Sequence, residues 1–181
     1  MRVLRAQDYR RMPWKNGGGE TIEMVVSPTG ASFETFDWRI SMAHVDVPGP
    51  FSLFPGIDRT LSVIDGAGIT LDLADKDGVS LDRRSEPFRF FGDIAVDSFL
   101  IAGPIDDLNV MTRRNRCNHQ VSRHPVATHT KLGWQGDIGI IVAIGGSIDV
   151  RAEQLEVTLG SKDAMIFGAV LSEPSKICLR S

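Results

Sequence analysis

The chain has 181 residues, 20 Lys plus Arg against 23 Asp plus Glu, a net charge of −3 and two cysteines. That near balance gives no bulk attraction for nucleic acid or a membrane surface. Cys117 and Cys178 form neither a disulfide framework nor a metal spacing, which fits a reducing compartment.

Arg2, Arg5, Asp8, Arg10 and Arg11 interrupt any apolar leader, and Ala6–Met12 has room only for a turn or two of helix before Pro13 stops it. From Phe36 to Met42, Phe36, Trp38, Ile40 and Met42 point one way and Asp37, Arg39 and Ser41 the other. Leu61–Leu73 reads as two strands joined at a turn marked by Asp65, Gly66 and Gly68. A second hairpin turns at Ala74–Val79 around Gly78. Short strands are expected at Phe88–Phe91, Ser98–Ile101, Ile138–Ile144, Ser147–Val150, Gln154–Leu159 and Lys176–Leu179. The apolar run Ile138–Ile144 is far shorter than the ~20 residues of a spanning helix. The fold class is therefore all-β, a sandwich or barrel, in a soluble cytoplasmic protein. The pattern of apolar strand, Gly-bearing turn and apolar strand occurs twice, at Phe51–Leu73 and Ile138–Leu159, which suggests two β-halves.

Two dense polar clusters break the strand pattern, Pro13–Thr21 with three consecutive glycines, and Asp107–Asn115. Glycine runs persist where the backbone must approach something closely or take positive φ. A site assembled from distant segments is the expectation. Trp14–Gly19, Trp38–Ser41, Gly49–Arg59 and Asp107–Arg114 together resemble the HutD/Ves family, with the same segments in the same order. The resemblance implies a cupin-type β-barrel, the RmlC-like jelly roll, as two cupin halves at about residues 1–117 and 133–181 joined by 118–132. It also implies an accessory or regulatory role in bacterial histidine utilisation.

Within those segments Lys15, Arg39, Arg59, Arg113 and Arg114 form a cationic set, and a guanidinium offers a planar fork matched to a carboxylate. Arg39, Arg59 and Arg113 are expected to converge on one anion, with Asn16 and Asn109 orienting it and Asp58 holding one Arg in place. Trp14 serves either as an aromatic wall over the pocket or as packing for the N-terminal arm; Gly18, Thr21, Ser41 and Ser52 complete the candidate ligand-binding set. Arg2, Arg10 and Arg180 lie outside every motif. The Trp14–Thr21 arm is expected to supply the site and not the barrel core.

The four histidines, His44, His119, His124 and His129, lack the His-x-His constellation of a metal-dependent cupin, so no metal or cofactor is expected. His44 and Asp46 share a strand face as the one close His/Asp pair. The expected function is metal-independent binding of a small carboxylate, with urocanate or formylglutamate implied by the resemblance, and with no nucleic-acid or membrane partner. A homodimer is compatible with this. The alternatives are a metal-independent lyase, isomerase or hydrolase on such a compound, and a structural or protein-interaction module.

Overall fold

The computed structural model describes residues 1–74, 76–133, 136–152, 155–168 and 177–180. Asp75, Gln154 and Lys176, parts of the expected second hairpin and of two expected strands, lie outside the described residues. β1 (Arg2–Leu4) precedes a single 3-10 turn at Ala6–Asp8, then β2 (Arg10–Pro13), β3 (Gly19–Ser27), β4 (Trp38–Val45) and β5 (Gly49–Pro50). β6 (Ile57–Asp65), β7 (Ile69–Leu73), β8 (Lys76–Leu81), β9 (Phe88–Phe91), β10 (Val96–Leu100) and β11 (Ile105–Arg113) follow. The last strands are β12 (His129–Leu132), β13 (Ile138–Val142), β14 (Ile148–Ala152), β15 (Leu155–Leu159), β16 (Ala164–Gly168) and β17 (Ile177–Arg180). Among the described residues no helix is long and apolar enough to cross a membrane.

The chain divides into two compact units, one of Arg10–Arg123 and one of Met1–Tyr9 with His124–Ser181. Thus β1, which the sequence boundary left in the first half, belongs with the C-terminal residues, where it pairs with β16. Two antiparallel sheets build the Arg10–Arg123 unit, in strand orders β2-β3-β4-β11-β6-β9 and β5-β10-β7-β8. Their inner faces share one core. Ala43, Val45, Leu61, Val63, Phe90 and Ile105 of the larger sheet pack with Ile69, Leu71, Leu73, Leu81 and Val96 of the smaller. Full burial of each large aliphatic side chain is worth about 1.5–3 kcal/mol. The other unit repeats the principle with sheets β1-β16-β13 and β12-β17-β14-β15 around Val150, Leu159, Met165, Phe167 and Leu179. Each unit is thus a pair of antiparallel sheets closed over its own core, an all-β architecture of the jelly-roll type.

The structure corrects several sequence expectations. β6 and β7 are not a hairpin, because they lie in different sheets. Gly66, at φ +87, turns the corner between them, and a Cβ there would meet Pro104 O at 2.5 Å. In the other unit the corner at Gly145, φ +79, likewise leads from β13 in one sheet to β14 in the other. Gly78 lies inside β8, whose pairing with β7 already begins at Lys76. Ala6–Met12 gives one 3-10 turn and then a strand. The Trp14–Thr21 arm runs into β3, an internal strand that buries Ile22 and Met24, so it belongs to the core as well. The second polar cluster lies in β11 as far as Arg113, in a central strand of the six-stranded sheet, with Arg114 and Asn115 in the turn beyond it.

Candidate functional site

Side chains directly opposite one another in an antiparallel pair share a face. Register therefore sorts the six-stranded sheet into rows. Arg39 of β4 and Arg59 of β6 both face Met111 of β11, and Arg59 in turn faces Phe90 of β9. The next row holds Glu23, Ser41, Asn109 and Leu61, and the next Thr21, Ala43, Asp107 and Val63. The odd-numbered residues of β4 and β11 thus line the core side, apolar at one end and polar at the other.

Two guanidiniums dominate the polar end. Arg39 is 4% and Arg59 6% exposed. The Arg39 Nε donates to Glu23 Oε2 at 2.9 Å and Nη1 to Ser41 Oγ at 3.1 Å, while Nη2 has no partner among the described residues. The Arg59 Nη2 donates to Asn109 Oδ1 at 2.8 Å and Nη1 to Ser52 O at 3.4 Å, while Nε has no partner among the described residues. Three aromatic rings surround Arg59 and one lies against Arg39. The Arg59 Cζ lies 5.1 Å from the centre of Phe51, 5.6 Å from Phe54 and 5.0 Å from Phe90, and the Arg39 Cζ lies 4.9 Å from Phe33. Leaving a buried polar group unpaired costs about 1–3 kcal/mol, and more for a charged one. Two such N–H groups in one lumen are acceptors' work left undone.

Behind Arg59 the Asn109 Nδ2 donates to Asp107 Oδ1 at 2.5 Å, so the amide links guanidinium to carboxyl. Burial pushes the Arg59 pKa down to about 10, with the like charge of Arg39 acting in the same sense and Asp107 opposing it. Burial raises the Asp107 carboxyl to about 7, against the attraction of Arg59. On the Arg39 side a cleft of about 170 Å³ opens, lined by Arg10, Met12, Glu23, Phe33, Glu34 and Arg39 among others.

The other expected site residues fall elsewhere. Asp58 faces away from Arg59, as adjacent strand residues must. It accepts from Arg89 Nη2 at 2.7 Å and Arg114 Nε at 2.8 Å, and Arg114 also donates to Asp93. Arg113 does not join Arg39 and Arg59 on an anion: its Nε and Nη2 donate to Phe36 O and Glu34 O, clamping the loop before β4. Ser52 is exposed and offers Arg59 its carbonyl. The Trp14 Nε1 donates to Thr21 Oγ1 at 2.8 Å and the ring packs on the core. Lys15 is exposed in the turn that follows, where Asn16 Oδ1 accepts from Gly18 N. Gly19 is the residue of that run the fold demands, since a Cβ there would sit 2.1 Å from His44 O.

His44 lies on the far face, its Nδ1 2.6 Å from Asp106 Oδ1 and its Nε2 3.2 Å from Asp46 Oδ1. The Asp106 hydrogen bond is the main cause of its raised pKa. Among the described residues no group of three His, Cys, Asp or Glu side chains is placed to hold a metal. Sequence reasoning missed Glu23, Phe33, Phe90 and Arg10 as neighbours of the guanidiniums. Only the β3–β4 register signals Glu23.

The HutD family model matches residues 6–175. Protein Ves of Citrobacter koseri is 38% identical over 158 residues, covering 85% of this chain and 80% of that one. A conserved protein of unknown function from Pseudomonas aeruginosa PAO1 superposes with a TM-score of 0.90 at 29% identity, over 99% of this chain and 92% of that one. HutD from Pseudomonas fluorescens SBW25 does so with a TM-score of 0.68 at 28% identity, over 98% and 95%. AerE from Microcystis aeruginosa, at 10% identity and a TM-score of 0.64 over 99% and 92%, shares the fold alone.

Proposed function

The chain belongs to the HutD family, and from that premise we propose that this cupin-type protein of histidine utilisation binds a small carboxylate metabolite between its two sheets. We read the two compact units as the two cupin halves and place the site in the Arg10–Arg123 unit. One observation carries the reading. Arg39 and Arg59 are both more than nine-tenths buried, rise from one face of one sheet, and each keep an N–H unpartnered among the described residues. A carboxylate satisfies guanidinium N–H groups better than water does, and a low-dielectric aromatic lining strengthens the bond. Binding needs no metal in this scheme, since the two guanidiniums carry the charge.

The test is a thermal-shift series with urocanate, formylglutamate, glutamate and acetate on the wild type and on Arg39→Ala and Arg59→Ala. A ligand at 100 times its Kd adds about 2.7 kcal/mol of stability. Stabilisation by at least one acid, lost in both variants, is the expected result. No response to any acid would leave the guanidiniums as scaffold and favour an interaction module.

A second reading, a metal-independent enzyme on the same compound, draws on Asp107. A carboxyl titrating near 7 can give or take a proton at neutral pH. Turnover of a bound acid, followed by chromatography, separates it from binding alone.

A further inference from the structure

The Arg59–Asn109–Asp107 chain does more than hold Arg59 in place. Asp107 is 1% exposed and sits between Ala43 of β4 and Val63 of β6, both of which belong to the core that the facing sheet shares through Ile69, Leu71 and Leu73. Among the described residues the charged groups around it are few. Arg59 lies across on β6, linked through Asn109; Arg39 and Glu23 lie further along the same face on β4 and β3; Asp106 lies next in sequence on the opposite face. Glu23 is committed to Arg39. Asp107 is therefore the internal counter-charge of Arg59, reached through one amide whose two ends are both fixed by hydrogen bonds.

Resting on the carboxylate-binding reading, we propose that Asp107 and the ligand compete for Arg59, so that anion binding draws a proton from the buffer onto Asp107 wherever that carboxyl is ionised. No bond in the ligand is made or broken. The lumen holds two guanidiniums, one committed carboxylate and Asp107. An arriving carboxylate completes the balance only when Asp107 is neutral, because otherwise three carboxylates would face two guanidiniums and leave one buried negative charge uncompensated. Protonated Asp107 keeps its place, since one of its oxygens still accepts from Asn109 Nδ2. The carboxyl already titrates near 7 without ligand, so the exchange falls in the physiological range. Binding at this site thus reads pH as well as metabolite.

Calorimetry with formylglutamate and acetate, in buffers of different ionisation enthalpy between pH 6.5 and 8.5, tests this. Both acids stay ionised throughout that range, so any proton uptake belongs to the protein. Uptake rising toward one proton per ligand above pH 7 is expected, with affinity falling by up to about tenfold per pH unit, the limit for one linked proton. Asp107→Asn keeps an acceptor for Asn109 and should abolish both the uptake and the pH slope. Binding with no proton uptake by the wild type would overturn the proposal and leave the site itself standing. A slope that survives in Asp107→Asn would also overturn it. If neither acid binds to the wild type at any pH, the site fails and this inference fails with it. Should Asp107→Asn not fold, the wild-type buffer series alone decides.

Discussion

Arg39 and Arg59 are the two antiparallel partners of one residue, Met111, delivered from opposite sides by β4 and β6. Strands lie about 4.8 Å apart, so the two Cα atoms stand roughly 10 Å from each other with both stems on the same face. Their charges are near enough that Arg39 helps to depress the Arg59 pKa, after burial.

Arg39→Ala should weaken binding of a responsive acid by about 1.5–3 kcal/mol, the range for hydrogen bonds to charged groups. Its Tm should change less than that of Arg113→Ala, because Arg113 clamps the carbonyls of Phe36 and Glu34. Arg39→Lys should recover little, since an ammonium lacks the planar fork. Titration calorimetry beside differential scanning calorimetry separates the two effects. Weakened binding in Arg113→Ala at unchanged Tm would return that residue to the site. Arg10 lies outside every sequence motif but lines the cleft, so Arg10→Ala should also alter binding, whereas Arg2→Ala should not.

Asp107→Asn should flatten the pH dependence of stability. The carboxyl rises from 3.8 to about 7 on folding, so the unfolded chain loses its proton first. Stability from this group is full below about pH 4, declines as pH rises to about 7, and is level above. The decline is about 2–4 kcal/mol at most. Urea unfolding at pH 4.5 and 8 should show a difference between the two values smaller in the variant by that order. An unchanged difference would mean the carboxyl is ionised at neutral pH in the fold.

His119 straps the segment after β11 onto the far face of the same sheet. Its Nε2 lies 2.7 Å from Thr60 Oγ1 and its Nδ1 2.7 Å from Thr112 Oγ1. Burial first, and then the Arg89 charge, lower its pKa. The neutral form is favoured in the fold, so this group's stability is present above pH 6.5 and is lost as pH falls through its folded pKa. His119→Ala should cost about 1–3 kcal/mol at pH 7.5, for the two hydroxyls left without their partner. The deficit should shrink at pH 5, which chemical denaturation at both values would reveal.

Gly19→Ala should destabilise by about 1–3 kcal/mol or prevent folding, as overpacking does. The added methyl would strike the β4 backbone at His44 O. Gly17→Ala, at φ +70 with open space around it, should cost about 1 kcal/mol. Equal midpoints for the two variants in a denaturant series would refute the close approach.

The all-β class was legible because β4 and β7 alternate as strands do. β11 was hidden, because it is buried on both faces and carries its polar residues inward. Asp107, Asn109 and Met111 line the core side while Leu108 and Val110 look the other way, which inverts the usual pattern. The same period-2 rule, read strictly, already separates Asp58 from Arg59. The partners of Arg113 were out of reach, because backbone carbonyls 77 and 79 positions away leave no mark in composition. Glu23 was equally silent: only the β3–β4 register brings it to Arg39.

β1 pairs with β16 so that Leu4 faces Ala164, 160 positions later. At about 5–20 residues per second, the ribosome leaves the first strand waiting roughly 10–30 s for its neighbour. The Arg10–Arg123 stretch has all of its strands within that interval. β1 is thus made well before its neighbour and pairs late, and its three residues join a unit whose other described strands lie beyond His124.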